Sequence, residues 1–160
     1  MMSFFSSFPD FLLPRAKGIA LRDQFLDSVY AATKAERPSD DSAVETRILR
    51  TASGGKVELR FAFEQHGWKL SAKDHVIITR MVSQMPGKGH GDEAMDFLKK
   101  EADTLNVNLA MFARPIAHKS MPMERLHAWL KGHNFHRQAN PDDLYIRDPG
   151  GINPAPAAAP

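Results

Sequence analysis

Three glycines, Gly87, Gly89 and Gly91, separate an apolar run from a helical pattern, and this junction restricts the fold more than any other stretch. The run before the glycines, HVIITRMVS at 75–83, is apolar on both faces over much of its length, as is typical of a central strand. After the glycines, apolar residues recur on one helical face: Ala94, Met95, Leu98, Ala102 and Leu105. The next strand-like run is VNLAMFARPI at 107–116. Strand, helix and strand in this order predict a crossover unit whose two strands are parallel.

The rest of the chain supplies elements around this unit. A helix is predicted from Ile19 to about Lys34, and the runs AVETRILRT and KVELRFAFE, separated by SGG at 53–55, predict a hairpin. Polar and apolar residues alternate in the second hairpin strand, so we expect one buried face. A helix from Met121 to His133, capped by Ser120, precedes two short strands, FHRQ and LYIRD. The pattern predicts an α/β domain whose mixed, mostly antiparallel sheet has a central parallel strand pair flanked by helices.

Length and composition predict one folded domain with two tails. The chain has 160 residues, enough for one domain with a sizeable core. We expect an apolar arm at 1–18, a folded domain at 19–149 and a flexible Pro/Ala tail at 150–160, which has too few large apolar groups to bury. The arm either covers the protein's own core or contacts a partner through its phenylalanines, Phe4, Phe5, Phe8 and Phe11.

Charge and cysteine content exclude several kinds of function. With 21 basic and 19 acidic residues the formal charge is only +2, so nucleic acid is not the expected partner. The chain contains no cysteine, which removes disulfides, thiolate nucleophiles and Cys-ligated zinc. Prolines interrupt the apolar start, which therefore predicts neither a membrane span nor a signal peptide, and we expect a cytoplasmic protein. His133, His136 and His127 have no matching carboxylate spacing, so we expect no metal site.

The glycine turn, residues 84–91, has the features of an anion site. A glycine-rich turn at a helix N-terminus presents free backbone N–H groups at the positive end of the helix dipole. A Walker A loop requires a hydroxyl residue after its lysine, but Gly89 follows Lys88. A dinucleotide fingerprint requires its third glycine at position 92 and an acidic residue after the next strand, and neither is present. The spacing therefore fits neither of these phosphate-binding loops.

The stretch PGKGHGDEAMDFL resembles the acyl-CoA-binding turn of the GNAT-type N-acetyltransferases, whose pattern is Arg or Gln, two residues, Gly, one residue, then Gly or Ala. Gly89 and Gly91 take the two small positions, and Pro86 stands where Arg or Gln is usual. A second register, from Gln84 through Gly87 to Gly89, matches the residue types of the pattern, but the helix would then begin too late relative to it. The resemblance runs from about 43 to 149, and the small size and the unusual arm resemble divergent, phage-encoded members.

A second segment, LHAWLKGHNF, resembles the end of the family's final helix, Leu-Tyr-x-x-x-Gly-Phe. Trp129, Leu130 and Phe135 fill the Leu, Tyr and Phe positions. Asn134 replaces the glycine and can adopt the same left-handed turn.

The resemblance implies an acyl-CoA N-acyltransferase-like domain over 19–149 with acetyl-CoA as cosubstrate, whose thioester a primary amine attacks directly. Met81, Val82 and Ser83 would offer backbone groups to the pantetheine arm. The pyrophosphate would bind the backbone amides of Gly87, Lys88, Gly89, His90, Gly91 and Asp92. Whether the amine belongs to a small molecule or a protein is left open, and so is a homodimer.

The catalytic side chains are less clear from the sequence. The reaction needs a base for the amine proton and benefits from an acid for the departing thiolate. Glu64 and His75 are the candidate bases, since the central strand has no carboxylate. The usual acid tyrosine corresponds to Leu130, which leaves His127, or His133, as a substitute. The alternative is a catalytically weak or inactive protein of the same fold that acts on a macromolecular host partner.

Overall fold

The computed structural model describes residues 14–36, 45–62, 75–114, 121–139 and 143–151. The described ranges contain three helices: α1 (Pro14–Ala32), α2 (His90–Leu105) and α3 (Met123–Gly132). The same ranges contain seven strands: β1 (Thr33–Glu36), β2 (Thr46–Arg50), β3 (Lys56–Ala62), β4 (His75–Ser83), β5 (Asn108–Phe112), β6 (His136–Arg137) and β7 (Leu144–Arg147). A 3-10 turn at Pro149–Gly151 follows β7. No helix in these ranges is both long and apolar enough to span a bilayer.

The seven strands form one sheet in the order β1-β2-β3-β4-β5-β7-β6. Only β4 and β5 pair in parallel, joined through α2, and the other described neighbours are antiparallel. The predicted α/β fold class, with a mixed sheet and a central parallel pair, is confirmed.

The main core lies between the sheet and the three helices. Phe25 and Val29 of α1, Met95 and Leu98 of α2, and Leu130 of α3 are fully buried in it. The strands contribute alternate residues to the same core, among them Leu59, Val76, Ile78, Leu109 and Tyr145. A smaller apolar group, Ile77, Ala110 and Leu144, lies on the opposite face of the sheet. Burial of β4 on both faces is what its apolar run predicts.

A β-bulge interrupts the pairing of β3 with β4. Phe61 pairs with Ile78 and Arg60 with Arg80, so Thr79 is an extra residue in β4. Ile78 and Met81 both pack on the core beneath the helices although they are three positions apart. The bulge lies where the parallel pairing of β4 with β5 ends, since Ile78 and Met111 form its last pair.

Two asparagines with left-handed backbone conformation follow the helices α2 and α3. Asn106 (φ 57°) caps α2 at its C-terminus, and the N–H of Val107 donates to the carbonyl of Ala102 at 2.9 Å. Asn134 (φ 67°) follows α3, so its predicted left-handed conformation is confirmed. Beyond the cap of α2, Arg147 of β7 donates to both carboxylate oxygens of Asp103, at 2.8 and 3.0 Å. This ion pair fixes the C-terminal end of α2 to the sheet.

Three local predictions differ from the structure. The first helix begins at Pro14 and ends at Ala32, and Thr33–Glu36, partly assigned to it, is the edge strand β1. The N-cap of α3 is Pro122, so the capping role predicted for Ser120 is wrong. The hairpin does not have one buried face only, because Glu58 and Arg60 are 2% and 9% exposed on the side away from the helices. Glu64 and the phenylalanines of the arm lie outside the described residues.

Candidate functional site

The first component of the site is a stretch of β4 that loses its neighbour. Parallel pairing with β5 runs from His75 opposite Asn108 to Ile78 opposite Met111, yet β4 continues to Ser83. On the other side Met81, Val82 and Ser83 remain paired with β3. Among the described residues no strand pairs with the β5 side of Thr79–Ser83, which we call the open edge. An extended ligand with amide groups can pair with such an edge as an added strand.

The second component is the glycine turn, which follows the open edge directly. Gly87 (φ 82°) and Gly89 (φ 79°) are left-handed, and Gly89 is the N-cap of α2 without a side-chain capping bond. The N–H groups at the start of a helix have no acceptor within it, so His90, Gly91 and Asp92 present theirs at the positive end of the helix dipole. Residues 84–89 are exposed. The turn is therefore an accessible site for an anion.

The β2–β3 turn fixes one side of the α2 N-terminus. The Nδ1 atom of His90 lies 2.9 Å from the hydroxyl of Ser53 and 3.3 Å from that of Thr51. The hydroxyl of Ser53 donates to the carboxylate of Glu93, and this bond lowers the pKa of Glu93. His90 is 6% exposed and packs directly over Gly55. Its side chain therefore anchors the helix, while its backbone amide stays in the glycine turn.

Replacing Gly55 by alanine should destabilise the fold by about 2 kcal/mol, because the new Cβ would lie 2.1 Å from Cγ of His90. Urea unfolding of the single and double variants tests the cause. In a His90→Ala background the same replacement should cost less than about 0.5 kcal/mol, since the clashing ring is gone. An equal cost in both backgrounds would show that His90 does not pack on this glycine.

Helix α3 fixes the other side of the α2 N-terminus. The indole N–H of Trp129 donates to the carboxylate of Asp92 at 2.6 Å, and Nε2 of His133 lies 2.8 Å from the same oxygen. The hydrogen bond from His133 lowers the pKa of Asp92 from its usual 3.8, against the opposing effect of burial. The rings of Trp129 and His133 meet edge to face at 4.8 Å. Contacts from the hairpin and from α3 thus set the direction of α2 and of its free amides.

The candidate catalytic histidines lie in different places. His75 is buried at the N-terminal end of β4, three residues before the last parallel pair and so roughly 10 Å along the strand from it. His127 of α3 is half-buried, and its Nδ1 lies 2.5 Å from the hydroxyl of Tyr145. Leu130 is fully buried in the core. His75 is thus separated from the glycine turn by the length of β4.

Two residues near the open edge were missed from the sequence. Tyr145 is fully buried, and its register with Met111 places it in the same row as the last parallel pair. Glu58 pairs with Val82 of the open edge, and its carboxylate lies 3.8 Å from Nε of Arg80. Alternation had assigned Glu58 to an exposed face. In the described part of the chain, no cluster of three or more His, Asp or Glu side chains is arranged to bind a metal ion.

Comparisons with known proteins find several similar solved structures, two of which are given below. No family model and no curated protein matches the chain. The anti-CRISPR protein AcrVA5 has 19% identity and a TM-score of 0.45, over 59% of this chain and 90% of that protein. A mutant of the toxin AtaT, bound to acetyl-CoA and to the C-terminus of the antitoxin AtaR, has 14% identity and a TM-score of 0.35, over 59% of each chain. At these values neither similarity assigns a family or a reaction to the chain.

Proposed function

We propose that the protein is an acetyl-CoA-dependent N-acetyltransferase that moves an acetyl group to a primary amine by direct attack on the thioester. One observation carries the proposal: the open edge of β4 leads without interruption into the glycine turn at the N-terminus of α2. Coenzyme A has the complementary order of groups, an extended arm with two amides followed by a pyrophosphate.

The open edge suits the pantetheine arm in length and chemistry. Thr79–Ser83 extends roughly 16 Å at the rise of a strand. Met81, Val82 and Ser83 would offer main-chain groups to the two amides, while their β3 side is already paired. Beyond Ile78 and Met111, the last parallel pair, β4 and β5 are no longer paired, and we call the space between them the gap. The thioester would then lie at the closed end of the gap, near Ile78 and Met111. Backbone recognition of this kind does not depend on the identity of the side chains.

The glycine turn suits the pyrophosphate. The amides from Gly87 to Asp92 would bind it, including those of Lys88, Gly89, His90 and Gly91. Left-handed glycines leave no side chain between the phosphate oxygens and the backbone. Lys88 is exposed and adds a positive charge at the rim.

A catalytically weak or inactive protein of the same architecture, acting on a macromolecular partner, is the second candidate. The observation that favours it is Leu130, which is apolar and fully buried at the position where the resemblance expects the acid tyrosine. Such a protein would bind acyl-CoA without consuming it. Measured thiol release therefore separates the two candidates once binding is established.

Acetyl-CoA should raise the melting temperature, whereas NAD and ATP should raise it much less. A ligand that binds only the folded state stabilises it by RT ln(1 + [L]/Kd), about 2.7 kcal/mol at a hundredfold excess over Kd. Differential scanning fluorimetry with each ligand at the same concentrations measures the effect, with AMP as a control for binding through adenine alone. Equal stabilisation by NAD or ATP would contradict the proposal.

A further inference from the structure

We propose that His127 transfers the proton from the attacking amine to the departing thiolate, and that Tyr145 is the residue that positions its ring. This inference rests on the proposed acetyl transfer and adds to it the two side chains that complete the reaction. Neither side chain belongs to the open edge or to the glycine turn.

Tyr145 lies at the same level of the sheet as the point where β4 and β5 stop pairing. Ile78, Met111 and Tyr145 form one row across β4, β5 and β7, and all three pack on the side of the helices. Two strand spacings separate the first from the last, roughly 10 Å. The gap opens immediately beyond this row. Tyr145 is therefore the buried hydroxyl of β7 at the level where the thioester would lie.

The contact between the two side chains is short and specific. Nδ1 of His127 lies 2.5 Å from the hydroxyl oxygen of Tyr145, and the ring centroids are 5.5 Å apart. Tyr145 is fully buried, whereas His127 is half-buried. His127 also lies three residues before Leu130, so both side chains share one face of α3. The imidazole therefore lies about one turn before Leu130 on the same face of α3.

The contact with Tyr145 uses Nδ1 of His127, so Nε2 is the ring nitrogen that can exchange a proton with the substrates. When Nδ1–H donates to the hydroxyl oxygen of Tyr145, neutral imidazole has its lone pair on Nε2, which can accept a proton. A tyrosine hydroxyl can accept this bond, and the bond holds the orientation of the ring as an orienting group does for a catalytic base. The tyrosine itself exchanges no proton in the reaction.

The proton balance closes without another reactant. The amine nitrogen attacks the thioester carbon, a C–N bond forms, and Nε2 of His127 accepts the proton that the nitrogen loses. The C–S bond then breaks, sulfur leaves with the electron pair, and the imidazolium returns the proton to it. The products are an N-acetyl amide and the free thiol of coenzyme A. His127 ends in its starting state, so one residue acts as base and then as acid.

Two variants separate this role from a structural one. Tyr145→Phe removes only the hydroxyl. His127→Asn keeps a polar nitrogen close to the position of Nδ1, which can still contact Tyr145, but it has no atom at the position of Nε2. If the pair only stabilises α3 against β7, His127→Asn should retain the wild-type rate. His136→Asn, a half-buried histidine of β6, is the matched control.

Release of coenzyme A provides the readout, because a chain without cysteine gives no background with a thiol reagent. Hydroxylamine, a small nucleophile that is neutral at pH 7, serves as the acceptor. Because it also attacks the thioester directly, the rate of thiol release in protein-free buffer is subtracted. Acetyl-CoA affinity is measured by calorimetry on the same folded samples. We expect His127→Asn to lower kcat by about 100-fold and Tyr145→Phe by about 10-fold, with unchanged Kd for acetyl-CoA. The control should keep the wild-type kcat.

The remaining outcomes identify which proposal fails. Wild-type protein that binds acetyl-CoA but releases no thiol with hydroxylamine or a panel of primary amines overturns the transferase, and the role of His127 with it. An active wild type with unchanged kcat in both variants overturns the role of the pair alone. Loss of acetyl-CoA affinity in parallel with kcat also overturns it, since the pair would then support binding. If Tyr145→Phe does not fold, the kcat of His127→Asn decides.

Discussion

Replacing Gly91 by valine is expected to weaken acetyl-CoA binding at least tenfold, about 1.4 kcal/mol, in a protein that still folds. Gly91 lies in the first turn of α2, its φ is not among the positive values, and a Cβ built on it meets nothing within 4 Å. Valine therefore causes no internal clash. Its methyl groups would instead occupy the open space next to the first-turn amides, where the pyrophosphate is proposed to bind.

Calorimetric titration of acetyl-CoA, with melting recorded for each variant, measures this effect. Gly89→Val should also lose binding but should destabilise the protein, because Gly89 has a φ of 79° that a β-branched residue rarely adopts. Lys88→Ala is the matched control in the same turn and should change the affinity far less, since it removes one exposed charge and no amide. If Gly91→Val binds acetyl-CoA like the parent, the turn does not contact the pyrophosphate.

Replacing Asp103 by alanine is expected to destabilise the fold by about 3 kcal/mol, because it leaves the guanidinium of Arg147 buried without its carboxylate. The side chain of Arg147 is 4% exposed and that of Asp103 is 36% exposed. Because Asp103 is partly solvated, we expect a cost at the lower end of the roughly 3–5 kcal/mol typical of breaking a buried ion pair. Asp96→Ala on the same helix is the control. Asp96 is 66% exposed, pairs with Lys99 and lies 3.8 Å from Nδ1 of His133, so its loss should cost less than about 1 kcal/mol in urea unfolding.

The pH dependence of the Asp103 effect has a defined sign. Burial raises the pKa of Asp103, but the hydrogen bonds from Arg147 and from the N–H of Gly150 outweigh it and leave the pKa below its usual 3.8. A carboxylate with a lowered folded-state pKa contributes its full stabilisation above pH 3.8 and loses it as the pH falls through the folded value. The stability difference between wild type and Asp103→Ala should therefore shrink below pH 3.8. A difference that stays constant there would exclude the ion pair as its source.

The sequence predicts most of the central unit because the relevant signals are local. The apolar run of β4, the glycines after it and the apolar face of α2 each follow from neighbours in the chain. Asn134, which stands where the resemblance has glycine, can adopt a left-handed conformation and does so in the structure. The edge strand β1 was missed because TKAE has no strand pattern of its own, and its conformation depends on pairing with β2.

The candidate site is harder to predict, because contacts between distant parts of the chain orient it. His90 and Ser53 are 37 residues apart, and Asp92 and His133 are 41 apart. Composition and periodicity contain no information about such pairs. Tyr145 was missed for the same reason, since its partner His127 lies on another element. Glu58 was assigned to solvent because alternation gives the face of a strand but not what covers that face.

The extra residue Thr79 changes which face of the sheet each later side chain of β4 is on. Without it, strict alternation from Ile78 would turn Arg80 toward the helices and Met81 away from them. The bulge reverses this parity, so Met81 packs on the core and Arg80 lies beside Glu58 on the other face. Every side chain from Arg80 to Ser83 depends on this one inserted position. Deleting Thr79 would therefore invert the whole open edge, whereas replacing Thr79 by another residue would leave its orientation intact.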